Sequence, residues 1–151
     1  MKIAVGADHR GFLFKKRLIP VLRQEGHEVA DLGTHRAGVP CDYPVIAAKV
    51  ARRVASGAFE RGILICGTGV GMSIAANKIR GIRAARCVTP RDAAFSRKHN
   101  DANVLTLGSM TSSFKTARAI AAVWLKTEAE SGRHRRRVKQ ILTLEKGLKE
   151  E

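Results

Sequence analysis

The amino-acid sequence predicts a parallel α/β fold. Short apolar runs alternate with amphipathic stretches from end to end, and the most apolar run stops at a cluster of glycines, as a buried parallel strand does where it meets a helix. The length agrees: 151 residues, 44% hydrophobic and 5% aromatic, suit one domain around one core. No internal repeat, low-complexity stretch or linker divides the chain. We therefore expect a single unit (1–151), with residues 1–131 forming the α/β core and residues 132–151 a helical tail.

Each element follows from its local pattern. Residues 2–5 read as a first strand, and Ala7, Asp8, His9, Arg10 and Gly11 as a polar turn. Residues 12–24 carry Phe12, Leu13, Leu18, Ile19 and Leu22 with basic residues between them, the pattern of a surface helix, although Pro20 should kink it or break its hydrogen bonding. Residues 27–31 form a short second strand, and 32–42 a loop containing Gly33, Gly38 and Pro40. Pro44 sits in the first turn of the next helix, where a missing amide proton costs little, and that helix runs towards Ser56. Residues 62–66 are the strongest strand, followed by Gly67-Thr68-Gly69-Val70-Gly71 and a helix towards Lys78. A strand at 83–88, a helix at 91–98, a strand at 104–107 and a long helix at 112–128 complete the core. After a break at Gly132, the last helix places Val138, Ile141, Leu142, Glu145 and Leu148 at helical spacing. Its own domain and a partner subunit are both candidates to cover that stripe.

Composition narrows the function classes. No apolar run approaches the roughly 20 residues a membrane helix needs. The opening Met1-Lys2-Ile3-Ala4-Val5-Gly6 is too short, and too soon interrupted by Asp8-His9-Arg10, for a signal peptide, so a cytoplasmic protein is expected. Cys41, Cys66 and Cys87 lack the spacing of a zinc site or a disulfide framework. The net charge of +15 would suit a nucleic-acid binder, and equally an enzyme that attracts a small phosphorylated substrate.

Ligands of open α/β sheets bind beyond the carboxyl ends of the strands. Reading the strand exits in turn gives Asp8 and His9, then Cys66 with its glycine loop, then Gly108 and Ser109, with His99 and Asn100 between the fourth helix and the last strand. These groups, far apart in sequence, can meet at one edge of the sheet. The loop amides would form a nest for negative charge. As a nucleotide motif the loop fails: Met72-Ser73 follows it where a P-loop needs Gly-Lys-Ser/Thr, and a Rossmann fingerprint would need glycine at 72 and an acidic residue near 91, which are Met and Arg. Cys66, where a strand ends and a helix begins, should have a lowered thiol pKa. Cys87 reads as a buried small hydrophobe, and Cys41 as a loop residue without an obvious partner. Asp8 beside His9 at a strand exit points to function, whereas the polar segment holding His99 would serve equally as a solvated helix cap. Arg133 and Arg137, four apart, share one helical face and could grip a single phosphate.

The run GILICGTGVGMSIAANK at 62–78 resembles the signature of type B ribose-5-phosphate isomerases and the related galactose-6-phosphate isomerase subunits. Gly6-Ala7-Asp8-His9, Asp42-Tyr43-Pro44, the segment from Ser96 to Val104, and Gly132-Arg133-His134 match the same family in order and at similar spacing, over essentially the whole chain. The resemblance implies a Rossmann-like three-layer αβα sandwich with a five-stranded parallel sheet, no cofactor and no metal. It also implies a homodimer, or a tetramer, whose active sites draw on both subunits and whose C-terminal helix packs on the partner. The implied reaction interconverts ribose 5-phosphate and ribulose 5-phosphate through a cis-enediolate. On that pattern Cys66 would be the base and Thr68 would support its thiol, while the amides of Gly67, Gly69, Val70 and Gly71 would stabilise the enediolate. His99 and Asp8 would handle ring opening and hydroxyl protons, and Tyr43 and Asn100 would line the sugar. His9, with Arg133 and Arg137 of the partner subunit, would hold the phosphate.

Two features depart from the family pattern. Many relatives carry an arginine at the position of Met110, where it helps bind phosphate, so either another basic residue substitutes or the substrate differs in length or pose. The charge of +15 also exceeds what the family suggests. Alternatives are the same chemistry on allose 6-phosphate, galactose 6-phosphate or a tetrose phosphate, and, more distantly, a non-enzymatic basic nucleic-acid-binding protein. Nucleic acid is the poorer fit, because the chain lacks interleaved aromatics and any reading motif.

Overall fold

Residues 1–147 are described by a computed structural model; positions 148–151, including Leu148 of the expected tail stripe, lie outside the described residues. Five strands, β1 (Lys2–Ala7), β2 (Glu28–Asp31), β3 (Arg61–Cys66), β4 (Ala84–Arg86) and β5 (Val104–Gly108), form one sheet in the order β2-β1-β3-β5-β4. Every pairing is parallel, with Val5 opposite Ile63 and Ile63 opposite Leu105 in the central register. Parallel neighbours need crossovers, and the helices supply them. These are α1 (Phe12–Gln24), α2 (Tyr43–Ala55), α3 (Val70–Ala76), α4 (Pro90–Asn100), α5 (Phe114–Lys126) and α6 (Arg133–Glu145).

The pleat assigns each side chain to a layer. Ile3, Val5, Ile63, Ile65, Leu105 and Leu107 face one way and meet Leu18 and Leu22 of α1 and Ile120 and Trp124 of α5. Ala4, Leu64, Cys66 and Val104 face the other way and meet Ile46, Val50 and Val54 of α2 and Met72 and Ala76 of α3. This is the expected three-layer sandwich, and parity alone sends the Cys66 side chain to the α2/α3 side. Each fully buried large apolar side chain contributes roughly 1.5–3 kcal/mol.

The strand order reverses direction between β1 and β3: β2 lies on one side of β1, and β3, β5 and β4 on the other. A crevice opens beyond the carboxyl ends of strands at such a switch point. Asp8 and His9 leave β1 there, and Cys66 ends β3 there.

At Pro20 the expected hydrogen bond is lost without ending the helix, and two boundaries need correction. Helix α1 continues through Pro20, which is exposed, so the carbonyl left without its amide partner one turn earlier can be hydrated while Leu18, Ile19 and Leu22 hold the buried stripe. Strand β4 covers only Ala84–Arg86, leaving Cys87 just beyond it. Helix α4 runs on to Asn100, so His99 and Asn100 occupy its last turn rather than a following loop. Asp101 then ends the helix in the left-handed region at φ 47°, held by the buried Arg97 guanidinium at 2.7 Å.

Helix α6 meets the rest of the chain at α4 and through Glu145, whose Oε1 accepts the Gly81 amide at 2.8 Å. His134 is its one buried residue among those described, and Ile141 and Leu144 are exposed. The chain therefore leaves much of the tail's apolar stripe uncovered.

Candidate active site

The crevice at the switch point is a cleft of about 900 Å³. Its walls come from the exits of β1 (Asp8, His9, Arg10), β3 (Cys66, Gly67, Thr68) and β5 (Met110), and from the start of α2 (Tyr43, Pro44, Val45). Ser109 ties the three exits together. Its hydroxyl donates to the Arg10 carbonyl at 2.9 Å and its amide to the Cys66 carbonyl at 2.9 Å.

Cys66 is 5% exposed, and the Gly69 amide donates to its sulfur at 3.1 Å. A donor aimed at sulfur is strengthened when the sulfur carries charge. The loop is pinned from the far side as well. Thr106, buried in β5, donates its hydroxyl to the Gly69 carbonyl at 2.9 Å, and Arg86 Nε donates to the Thr68 carbonyl at 2.7 Å. Gly69 sits at φ +77°, which only glycine adopts at little cost. Gly71 answers a different need: a Cβ there would lie 2.6 Å from the Tyr43 ring, so glycine lets Tyr43 close the wall.

These bonds redistribute the expected roles. Thr68 lines the cleft and its hydroxyl accepts the Val70 amide at 3.3 Å, while the donor that meets the sulfur is the Gly69 amide. The amides of Gly69 and Val70 are thereby engaged inside the loop. Those of Gly67, Thr68 and Gly71 have no hydrogen-bond partner among the described residues and are left to meet an anion.

Asp8 is 5% exposed, and its Oδ1 accepts the amides of Arg10 and Gly11, each at 2.9 Å. That closes the turn after β1 and leaves Oδ2 for the cleft. His9 Nδ1 accepts the Cys41 amide at 3.3 Å, so in the neutral ring the proton lies on Nε2. Cys41 therefore does have a partner, and both it and Arg10 line the cleft. Sequence reasoning missed both roles; the polar turn directly after β1 was the available signal for Arg10.

Cys87 is the buried hydrophobe expected, and burial pushes its thiol up to about 11. At pH 8 roughly one part in a thousand would be thiolate, the reactive form. In the native protein iodoacetamide should modify the half-buried Cys41 and spare Cys87, read by peptide mass spectrometry; rapid labelling of Cys87 would contradict its burial.

The remaining predicted residues form a second group on α4 and α6, outside the Cys66 cleft. His99 stacks between Phe95 and His134, 4.1 Å from the latter ring at 10° between planes. Arg133 Nε reaches His134 Nε2 at 3.4 Å, and Arg137 is exposed one turn on. Asn100 lies nearby, lining a groove with Ile141 and Leu144. Burial first, then His99 and Arg133, hold the His134 pKa below the ordinary histidine value. His99, Glu130 and His134 bring possible ligand atoms within 4.8 Å of one another. The stacked rings, however, aim their in-plane lone pairs side by side rather than at one point, a poor arrangement for a shared ion.

No helix among the described residues is long and apolar enough to cross a membrane. Comparison with known proteins agrees with the geometry. Ribose-5-phosphate isomerase B of Escherichia coli (strain K12) is 49% identical over 144 residues, covering 95% of this chain and 96% of that protein. The structure of Clostridium thermocellum ribose-5-phosphate isomerase B superposes with a TM-score of 0.95 at 48% identity, over 97% of this chain and 99% of that one. That of Mycoplasma genitalium ribose-5-phosphate isomerase B with bound ribulose-5-phosphate gives 0.93 at 40% identity, over 96% of both chains. The family model described as ribose/galactose isomerase matches residues 3–141, and the chain belongs to that family.

Proposed function

We propose that this chain is an aldose–ketose isomerase that interconverts ribose 5-phosphate and ribulose 5-phosphate, without cofactor or metal, in the cytoplasm. One observation carries the reading: a cysteine thiol at the switch-point cleft, with an amide on its sulfur and three unpartnered amides in the loop that follows it. The carbon next to an aldehyde is a weak acid, so the reaction needs a placed base and stabilisation of the anion that forms. The Cys66 thiolate takes the proton from C2 of the open-chain aldose, and the electron pair moves through C1–C2 onto the carbonyl oxygen. The resulting enediolate lies against the amides of Gly67 and Gly71. Movement of a hydroxyl proton and return of a proton to C1 give the ketose. Asp8, through its free oxygen, serves the hydroxyl protons, Tyr43 lines the sugar and His9 faces the phosphate.

The working unit in this reading is a homodimer with shared sites. None of His99, Asn100, Arg133 and Arg137 lines the Cys66 cleft of its own chain, and in this reading a second copy presents them. Val45, Val70 and Ile74 at the cleft rim, and Ile141 and Leu144 on α6, are exposed apolar side chains of the kind such an interface covers.

Initial rates on ribose 5-phosphate, allose 6-phosphate, galactose 6-phosphate and erythrose 4-phosphate test the substrate. Preference for ribose 5-phosphate supports the reading. Preference for another sugar phosphate keeps the chemistry and replaces the substrate, while inactivity on all four overturns it.

A further inference from the structure

We propose that Arg10 binds the substrate's phosphate and is the cation that the Cys66-bearing subunit itself supplies for that purpose. The inference rests on the sugar-phosphate reading above. Among the residues lining the cleft, Asp8 and Asp42 are acidic and Arg10 is the one permanent cation. Its guanidinium makes no ion pair with a carboxylate among the described residues. The one side-chain partner is Met110 Sδ, 3.2 Å from Nη1. A thioether is a weak acceptor, so the remaining N–H groups of the fork are free for a ligand. A guanidinium fork matches a phosphate with two parallel hydrogen bonds, which no other cleft side chain can offer.

The arginine is also held in place. Its amide donates to Asp8 Oδ1 at 2.9 Å and its carbonyl accepts the Ser109 hydroxyl at 2.9 Å. Its Cδ lies so close to Gly67 that a Cβ on that glycine would stand 3.1 Å away. The backbone is thus fixed at the wall between the β1 and β5 exits, and the side chain runs past Gly67, whose amide is free, to Met110.

Met110 completes the argument. It is 65% exposed and lines the same wall in contact with the guanidinium. A cation at position 110 would sit within a few ångströms of Arg10, and like charges at that separation repel. The wall therefore accommodates one cation, and a neutral, flexible thioether at 110 lets position 10 provide it.

The test measures KM and kcat for ribose 5-phosphate and, separately, the dissociation constant for inorganic phosphate. Arg10→Ala should weaken both KM and phosphate binding by about tenfold or more, the loss expected for a charge-assisted pair, with a smaller change in kcat. Adding Met110→Arg to that variant should restore most of the phosphate affinity from the neighbouring position. Lys126→Ala, which removes an equal charge at the far end of α5, should leave both quantities as in the wild type. Unchanged KM and phosphate affinity in Arg10→Ala, with an active wild type, overturn the proposal, as does a double variant that recovers nothing. Phosphate binding that depends on Arg10 in a protein inactive on every sugar phosphate supports the anion site and brings down the isomerase reading instead.

Discussion

Cys66→Ala should lower kcat for ribose 5-phosphate by about 10²–10⁴-fold or more, the range a positioned acid–base group supplies, while KM changes far less. The expectation follows from where the thiol stands. Its β-strand parity points it at the cleft side of the sheet, and its sulfur carries the Gly69 amide. Among the titratable side chains lining the cleft, it is the one that receives a hydrogen bond from the glycine loop. Removing one sulfur from the core costs little, about 1 kcal/mol, so the variant should fold and the comparison is fair. A folded Cys66→Ala protein with near-normal kcat would remove the thiol base from the mechanism.

Mixing two inactive variants should regenerate activity. Cys66→Ala and His99→Ala are each expected to be nearly inactive alone, because one lacks the base and the other the imidazole that the second copy presents. After subunit exchange a mixed dimer holds one site with both residues and one with neither, so an equal mixture should approach about a quarter of the wild-type rate. If both residues served the site of their own chain, no site in the mixture would be complete and no activity would return. The separation of the two groups in one chain makes the test sharp: Cys66 lines the β1/β3 cleft, whereas His99 lies against His134 of α6.

The fold was largely readable because its signals are local. Buried parallel strands leave continuous apolar runs, and residues 62–66 have one with Cys66 as its last member. Boundaries slipped where a tertiary contact decided them. Helix α4 gains its last turn from Arg97 holding Asp101, a pairing that periodicity does not reveal. Helix α1 survives Pro20 because the proline faces solvent, and that depends on which side the sheet lies.

The site divides in the same way. Cys66, Asp8 and His9 announce themselves by sitting at strand exits, and the structure places them in one cleft. The roles of individual loop groups were beyond reach, because which amide turns to the sulfur depends on the left-handed Gly69 and on Thr106 gripping its carbonyl from another strand. Cys41 and Arg10 escaped notice for a related reason. One acquires its place from His9, 32 positions away, and the other from Met110, 100 positions away.

The most direct test of the central claim is the conversion of ribose 5-phosphate by the purified wild-type protein in D2O, with a chelator and no added cofactor, followed by proton NMR. The account predicts rapid formation of ribulose 5-phosphate, with solvent deuterium accumulating at C1 over repeated turnovers as the thiol exchanges its proton. Absence of turnover, or turnover in which no deuterium ever enters the carbon skeleton, would contradict an enediolate formed by a protein base.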